Sequence, residues 1–353
     1  MSERPLRSNR IATLEVLSPL HVGAGSEPLV ADYDFAVERG VVWVMDPRKL
    51  LEGYDEEELR HGIPEVRLSK RLGPEGYRAC AAYSLPVSGP VGNEVLPCIK
   101  DVEGRAYLPG SSIKGALRSA VAWAAAREGG RAPTAGELDR RAEDAGSQWE
   151  RRVFGRDPNH DLMRALLVGD SGPVGVDRLG LSTVSIYSLR GGELQPKGSG
   201  LRLSVETLAP GTQLTFEVGL DRYTLAHPEL GLAEKRGWLE RLASICRERA
   251  MELIAAEKAF YASHGPRPLL QFYQRLEDRA AGLGENRFLL QMAWGTGWGA
   301  KTLGAALTEG ELFGELRYRY RLGQPGAPFP KSRRLVERGG AAVEPLGWVE
   351  VTL

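Results

Sequence analysis

The sequence predicts an α+β fold, and three observations predict it. Short segments alternate at strand period beside hairpin-like neighbours, amphipathic helix takes over near residue 229, and two glycine-rich stretches stand near the start of each half. Strands that adjoin and are then followed by helices fit α+β better than a doubly wound parallel sheet. At 353 residues the chain exceeds the usual single-domain size. Two domains are expected, 1–225 and 226–353, and the glycine-rich pair suggests a duplicated module without a visible repeat.

Taken in order, IATLEVL (11–17) puts Leu14 and Val16 on one face and Thr13 and Glu15 on the other, which reads as a strand. It runs into SPLHVGAGSEP, a turn-rich loop with Gly23 and Gly25. YDFAVERGVVWVMD (33–46) reads as a hairpin turning at Glu38-Arg39-Gly40, and residues 47–106 as an insertion of mixed character. A helix opened by Ser111 or Ser112 carries Ile113, Leu117, Ala120, Val121 and Ala124 along one face. Residues 127–152 read as a peripheral helical segment, and ALLVGDS (165–171) and LSTVSIYS (181–188) as strands. LRLSVETLAPGTQLTFEVGL (201–220) gives two strands around Pro210-Gly211. Trp238, Leu242, Ile245, Cys246, Leu253 and Ile254 then keep helical spacing. The chain ends in PLGWVEVTL, a terminal strand.

Composition narrows the function classes. The chain is 42% hydrophobic and 26% charged, with no apolar run long enough for a membrane span. Its 46 basic and 46 acidic residues cancel, so any nucleic-acid surface must come from local segregation of charge. MSERPLRSNR lacks the apolar stretch of a signal peptide, and Cys80, Cys98 and Cys246 are scattered, so a reduced cytoplasmic setting is expected. Neither cysteine nor histidine spacing suggests a metal, and no cofactor is expected.

YLPGSSIKGALRSA (107–120) is the most informative stretch. It seats Lys114 and Arg118 in the first two turns of a helix, where the dipole is already positive and acids are the rule. One reading is a phosphate cradle built from Ser111, Ser112, Lys114 and Arg118. The other is a serine-capped helix with solvated bases. GTGWGAKT (295–302) matches a nucleotide-binding P-loop at Gly295, Lys301 and Thr302, but Ala300 stands where a glycine is required. Its alternatives are a loop that admits a polyanion backbone, with Lys301 as a contact, or a tight corner whose Trp294 and Trp298 serve the core. RYRYR (317–321) alternates at strand period, and FPKSRRLVERGG is the densest basic run. His21, in the first glycine-rich loop, is a candidate general base or a hydrogen-bonding strut. Asp32, Asp34 and Asp170 lack a second histidine or a metal cluster to work with.

Together LSPLHVGAGSE, YLPGSSIKGALRSA, WGTGWGAKTLG and the terminal FPKSRRLV…PLGWVEV resemble the RAMP superfamily of CRISPR proteins. Their order and spacing are most similar to the fifth subunit of the type III-A (Csm) effector complex. The resemblance implies tandem ferredoxin-like (RRM-like) domains with helical insertions, whose glycine-rich loops hold the crRNA backbone. It implies a non-catalytic subunit that caps the crRNA 3′ end and assists crRNA maturation and complex assembly. Partners would be crRNA, target RNA, the repeating RAMP backbone subunit, the small helical subunit and a host 3′ exonuclease. The RNA-binding residues it implies are Gly23 and Gly25, with His21 beside them, then Ser111, Ser112, Lys114 and Arg118. Gly295, Gly297, Gly299 and Lys301 follow, then Lys331, Arg333 and Arg334. RNA-cutting backbone subunits carry an acid soon after the first loop, where Asp32 and Asp34 lie here, although the fifth subunit is not regarded as the slicer. The alternatives are a metal-independent endoribonuclease using His21, another type III RAMP subunit, and an NTPase using Lys301.

Overall fold

The structure, a computed structural model, describes residues 7–52, 57, 60, 67–87, 89–128, 131–198, 202–303, 311–323 and 328–353. Strands are numbered along the chain. One sheet runs β12 (Arg287–Gln291), β15 (Trp348–Thr352), β1 (Arg7–Val16), β11 (Gln213–Asp221), β7 (Leu166–Ser171), antiparallel throughout. A second runs β14 (Ala341–Pro345), β13 (Ser332–Arg338), β8 (Leu179–Arg190), β10 (Arg202–Leu208), β6 (Glu94–Leu96), β2 (Leu29–Val30), with β9 (Glu193–Pro196) on β8. The expected hairpin is β3 (Phe35–Glu38) and β4 (Val41–Met45), joined by β5 (Ala81–Pro86) in a third sheet. Its turn falls at Arg39 and Gly40, both at positive φ.

The main described helices are α1 (Gly110–Arg127), α2 (Ser147–Val153), α3 (Leu242–His264), α4 (Arg267–Ala281), α5 (Trp298–Lys301) and α6 (Glu311–Arg319). The order β1–α1–β7–β11–α3, closed by β15, gives the sheet arrangement β15-β1-β11-β7, the pattern of a ferredoxin-like βαββαβ unit with β12 added outside. The α+β expectation is met. Ala12, Leu14 and Val16 of β1 point into a core with Ile113, Leu117, Ala120 and Val121 of α1, while Ile11 stays exposed. Strands from both sides of residue 225 meet in both large sheets. Pro210-Gly211 joins strands of different sheets, so the expected turn is a corner at which the chain changes layer.

Two local expectations are corrected. RYRYR is not a strand: Arg317 and Arg319 end α6, which buries Leu316 and pairs Arg319 with Glu315 one turn earlier at 2.8 Å. Arg319 and Tyr320 reach the carbonyls of Leu138 and Asp139, at 2.9 and 2.5 Å, so tertiary contacts override the alternation. Neither Ser111 nor Ser112 caps α1, which starts at Gly110 after Pro109. The cap comes from the neighbouring strand, where Asp170 Oδ1 accepts the Gly110 N–H at 2.7 Å. Glycine is required there for packing, since a Cβ would lie 2.4 Å from the Val168 carbonyl oxygen.

Candidate nucleic-acid interface

The second glycine-rich loop is where the predicted residues converge. Gly295 and Gly297 sit at φ +84° and +86°, which turn the chain from β12 towards the single turn α5. Among the described residues, the turn over Trp294 and Gly295 closes on the Thr296 N–H, and the N–H groups of Gly297, Trp298, Gly299 and Ala300 that follow have no hydrogen-bond acceptor. Four successive unused donors make a partly positive stretch of backbone of the kind that receives anions. A narrow cavity of ≈40 Å³ lies between this loop and a floor that includes Tyr261, Tyr273 and Glu257.

β13 runs beside the loop, and its pleat divides the two arginines that the sequence could not tell apart. Arg333 turns inward, bonded to Glu257 at 2.8 Å and stacked over Phe260 at 4.2 Å. Arg334 turns outward, exposed, with its guanidinium 5.3 Å from the centre of the Trp294 ring. Lys301, at the end of α5, and Lys331, just before β13, are also exposed. Among the described residues, Lys301, Lys331 and Arg334 have no carboxylate partner. Partial burial first, and then the charge of Arg334, hold the Lys301 ammonium below the usual lysine range.

The first loop is tied to the second through His21. The His21 ring is buried, and its Nδ1–H donates to the Glu206 carbonyl at 2.7 Å. Its own carbonyl accepts the Trp294 N–H at 3.1 Å, and the two rings meet edge-on at 5.5 Å. Beneath it the buried Glu206 carboxylate accepts from Lys100 Nζ and Tyr83 OH, both at 2.5 Å, and from the Cys98 N–H at 2.8 Å. Burial holds the His21 pKa below its ordinary value. The general-base expectation is therefore corrected: His21 is a strut inside the protein, not a group at a surface where RNA could be cut. A Cβ on Gly23 would come 3.2 Å from His21 Nε2, and exposed Gly25 takes φ +71°. Asp32 and Asp34 have structural partners: Asp32 accepts from Ser69 N at 2.7 Å at the start of the helical turn Leu68–Arg71, and Asp34 accepts from Val30 N at 2.7 Å across its own turn.

The start of α1 lines a separate, open groove of ≈840 Å³ together with α2 and residues 155–164. Ser111, Lys114 and Arg118 are part of its wall. Arg118 is already satisfied there, with Asp161 at 2.7 Å, Glu150 at 3.0 Å and the Phe154 ring beneath it at 3.8 Å. Lys114 has no ion pair among the described residues, and partial burial holds its ammonium below the usual lysine range.

The P-loop match does not become a P-loop. The strand before it, β12, lies in an antiparallel sheet, the helix after it has four residues, and Ala300 is buried with its carbonyl bound by Arg249 Nη2 at 2.6 Å. Arg249 is a loop residue's partner that the sequence reading missed. Its signal was its place on the apolar stripe of Ile245, Cys246 and Leu253. Among the described residues no group of histidine, cysteine and acidic side chains is arranged to hold a metal. No described helix is long and apolar enough to cross a membrane.

Known proteins were compared with this geometry. Mycobacterium tuberculosis proteins named CRISPR system Cms protein Csm5 are 32% identical over 180 residues, 48% of this chain and 46% of theirs. The match thus spans about half the length of these relatives. A Streptococcus thermophilus protein of the same name is 25% identical over 291 residues, 73% of each chain. Among solved structures, a chain of a cryo-EM Csm–crRNA–target RNA ternary complex, type III-A, superposes with TM-score 0.67 at 24% identity. That match covers 96% of this chain and 99% of the other. The crystal structure of T. onnurineus Csm5 gives 0.65 at 24%, covering 97% and 100%. At this identity both matches speak for the fold. The RAMP superfamily model matches residues 13–287, most of the chain, and the protein belongs to that superfamily.

Proposed function

We propose that the chain is a non-catalytic crRNA-binding subunit of a type III-A CRISPR interference complex, capping the crRNA 3′ end and assisting maturation and assembly. One observation carries this reading: four consecutive unused N–H donors lie beside Lys301 and Arg334, with Lys331 next to the Pro330 and Ser332 that line the same cavity, and none of the three bases has an acidic partner among the described residues. Such a surface binds a phosphate backbone and reads no base. The relatives named Csm5, and the crRNA and target RNA of the complex that holds one structural neighbour, support this choice of ligand and of companion subunits. The internal position of His21 and the structural hydrogen bonds of Asp32 and Asp34 support a binding rather than a cutting role. Ser111, Lys114, Gly23 and Gly25 remain in the proposal as further contacts along the strand. Arg118 and Arg333 enter it only as internal ion pairs. The division near residue 225 is kept as two interleaved units, and a cytoplasmic complex, with a host 3′ exonuclease as a visiting partner, is the setting proposed.

Fluorescence anisotropy of a labelled single-stranded RNA on the purified protein tests the reading. With about three phosphates neutralised, affinity falls about eighteenfold between about 50 and about 200 mM salt. Affinity that stays flat across that range overturns it.

A further inference from the structure

Arg249 lies on α3 at a position where the helical stripe calls for an apolar side chain, and it is only 3% exposed. Its Nη2 donates to the carbonyls of Ala300 at 2.6 Å and Gly299 at 3.3 Å, while buried Nη1 has no acceptor. No described carboxylate forms an ion pair with it. Glu252, on the next turn of the same helix, is taken by Trp123 Nε1 at 2.9 Å and Arg127 at 2.6 Å. Burial lowers the Arg249 pKa to about 10, which still leaves it charged at neutral pH. A buried charge without a counter-charge is a poor stabiliser, and an apolar side chain of similar volume would serve the core as well or better. Its function has to be sought in what it holds.

It holds the two carbonyls just ahead of Lys301. In a trans peptide the C=O and the following N–H point in opposite directions, so fixing the Gly299 carbonyl inward turns the Ala300 N–H away from Arg249. We infer that Arg249 is the positioning residue of the Gly295–Lys301 loop. It turns the Ala300 N–H outward and sets a fixed positive charge behind it. This inference rests on the RNA reading of the loop.

The test compares Arg249→Met and Arg249→Lys with Lys301→Ala and Arg334→Ala, using the same labelled RNA and a thermal melt of each protein. Arg249→Met melts at or above the wild-type temperature, binds RNA about tenfold more weakly and keeps the wild-type salt slope, since a buried arginine displaces no counterion. Arg249→Lys restores part of the loss. The positioning role is overturned by a Met variant that binds like wild type, by a Lys variant no better than Met, or by unfolding of both, which would make Arg249 a stability residue. If Lys301→Ala and Arg334→Ala bind RNA normally, the RNA reading itself fails. If they weaken binding while Arg249→Met does not, only the positioning role fails.

Discussion

Lys301 and Arg334 arrive from different elements, the end of α5 and the outer face of β13, and partial burial first, then the charge of Arg334, hold the Lys301 ammonium below the usual lysine range. Neither has an acidic neighbour among the described residues. Bringing like charges together costs folding free energy, and an anion from outside removes that cost. The arrangement is not a structural ion pair, which is why the proposed function gives these two bases to RNA phosphate.

Replacing either by alanine therefore separates binding from folding. Lys301→Ala and Arg334→Ala each weaken RNA binding and reduce the magnitude of the log–log salt slope by about 0.7 for a single strand. Their thermal midpoints stay level or rise, because a repulsion has been removed. Anisotropy titrations at several salt concentrations, paired with melts, check both halves. An unchanged slope would mean that neither side chain touches the RNA backbone.

The glycine of the PGSSIKG stretch answers to a different force. A methyl group on Gly110 would meet the Val168 carbonyl oxygen at 2.4 Å, and strand backbone cannot yield. Gly110→Ala is expected to pry α1 from β7 and cost about 1–3 kcal/mol. Gly115, exposed on the same helix with nothing within 4 Å, is the control. Gly115→Ala stabilises by up to about 1 kcal/mol through helix propensity. Urea denaturation of the two variants reads the contrast, and equal costs would refute the packing account.

Much of the fold was legible because burial alternates where the sequence alternates. Leu14 and Val16 face the core, and Arg39-Gly40 supplies the positive φ of a hairpin turn. Strand partnership was not legible: nothing local in Glu15 announces that it will face Glu350. RYRYR failed because one five-residue alternation fits the last turn of a helix as well, and Glu315, Leu138 and Asp139 decide between the two. Glycine density and positive charge found the second loop. Which of Arg333 and Arg334 points outward depends on the register of β13, and which arginine of α3 lies inside depends on what packs above it.

His21 makes stability depend on pH with a definite sign. Burial keeps its folded pKa below the ordinary 6.5, so the folded protein binds fewer protons than the unfolded chain. The contribution of neutral His21 is complete above that ordinary value and is lost as pH falls through the depressed one. The thermal midpoint should drop from about pH 7 to about pH 5, and His21→Asn, whose amide nitrogen can replace the Nδ1 donor, should remove that part of the slope. Repeat RNA incubated with either protein should remain intact. A slope identical in wild type and variant would show that His21 is not the group responsible.

Glu15 and Glu350 face each other in register across β1 and β15, and Arg279 of α4 stands between them. Its Nη2 donates to Glu15 at 2.6 Å and its Nε to Glu350 at 2.5 Å, while Arg287 Nε adds a bond to Glu350 at 2.9 Å. Burial opposes ionisation of Glu350, but the two arginines outweigh it and hold its carboxyl below the ordinary value. Arg279→Met leaves two carboxylates opposed on neighbouring strands, one of them buried, where like charges repel. Because the Arg279 side chain is 36% exposed, the full penalty of breaking a buried pair is discounted to about 1–2 kcal/mol. The lowered Glu350 pKa makes the arginines' contribution largest above its ordinary value of 4.5 and smaller as pH falls through the folded value. The difference between Arg279→Met and wild type in urea should therefore shrink from neutral pH towards pH 4. Adding Glu15→Gln to Arg279→Met should recover part of the loss, since one of the two opposed charges is then gone. A double variant no more stable than Arg279→Met alone would show that the arginine acts by packing on β15, and that repulsion across the two strands contributes nothing.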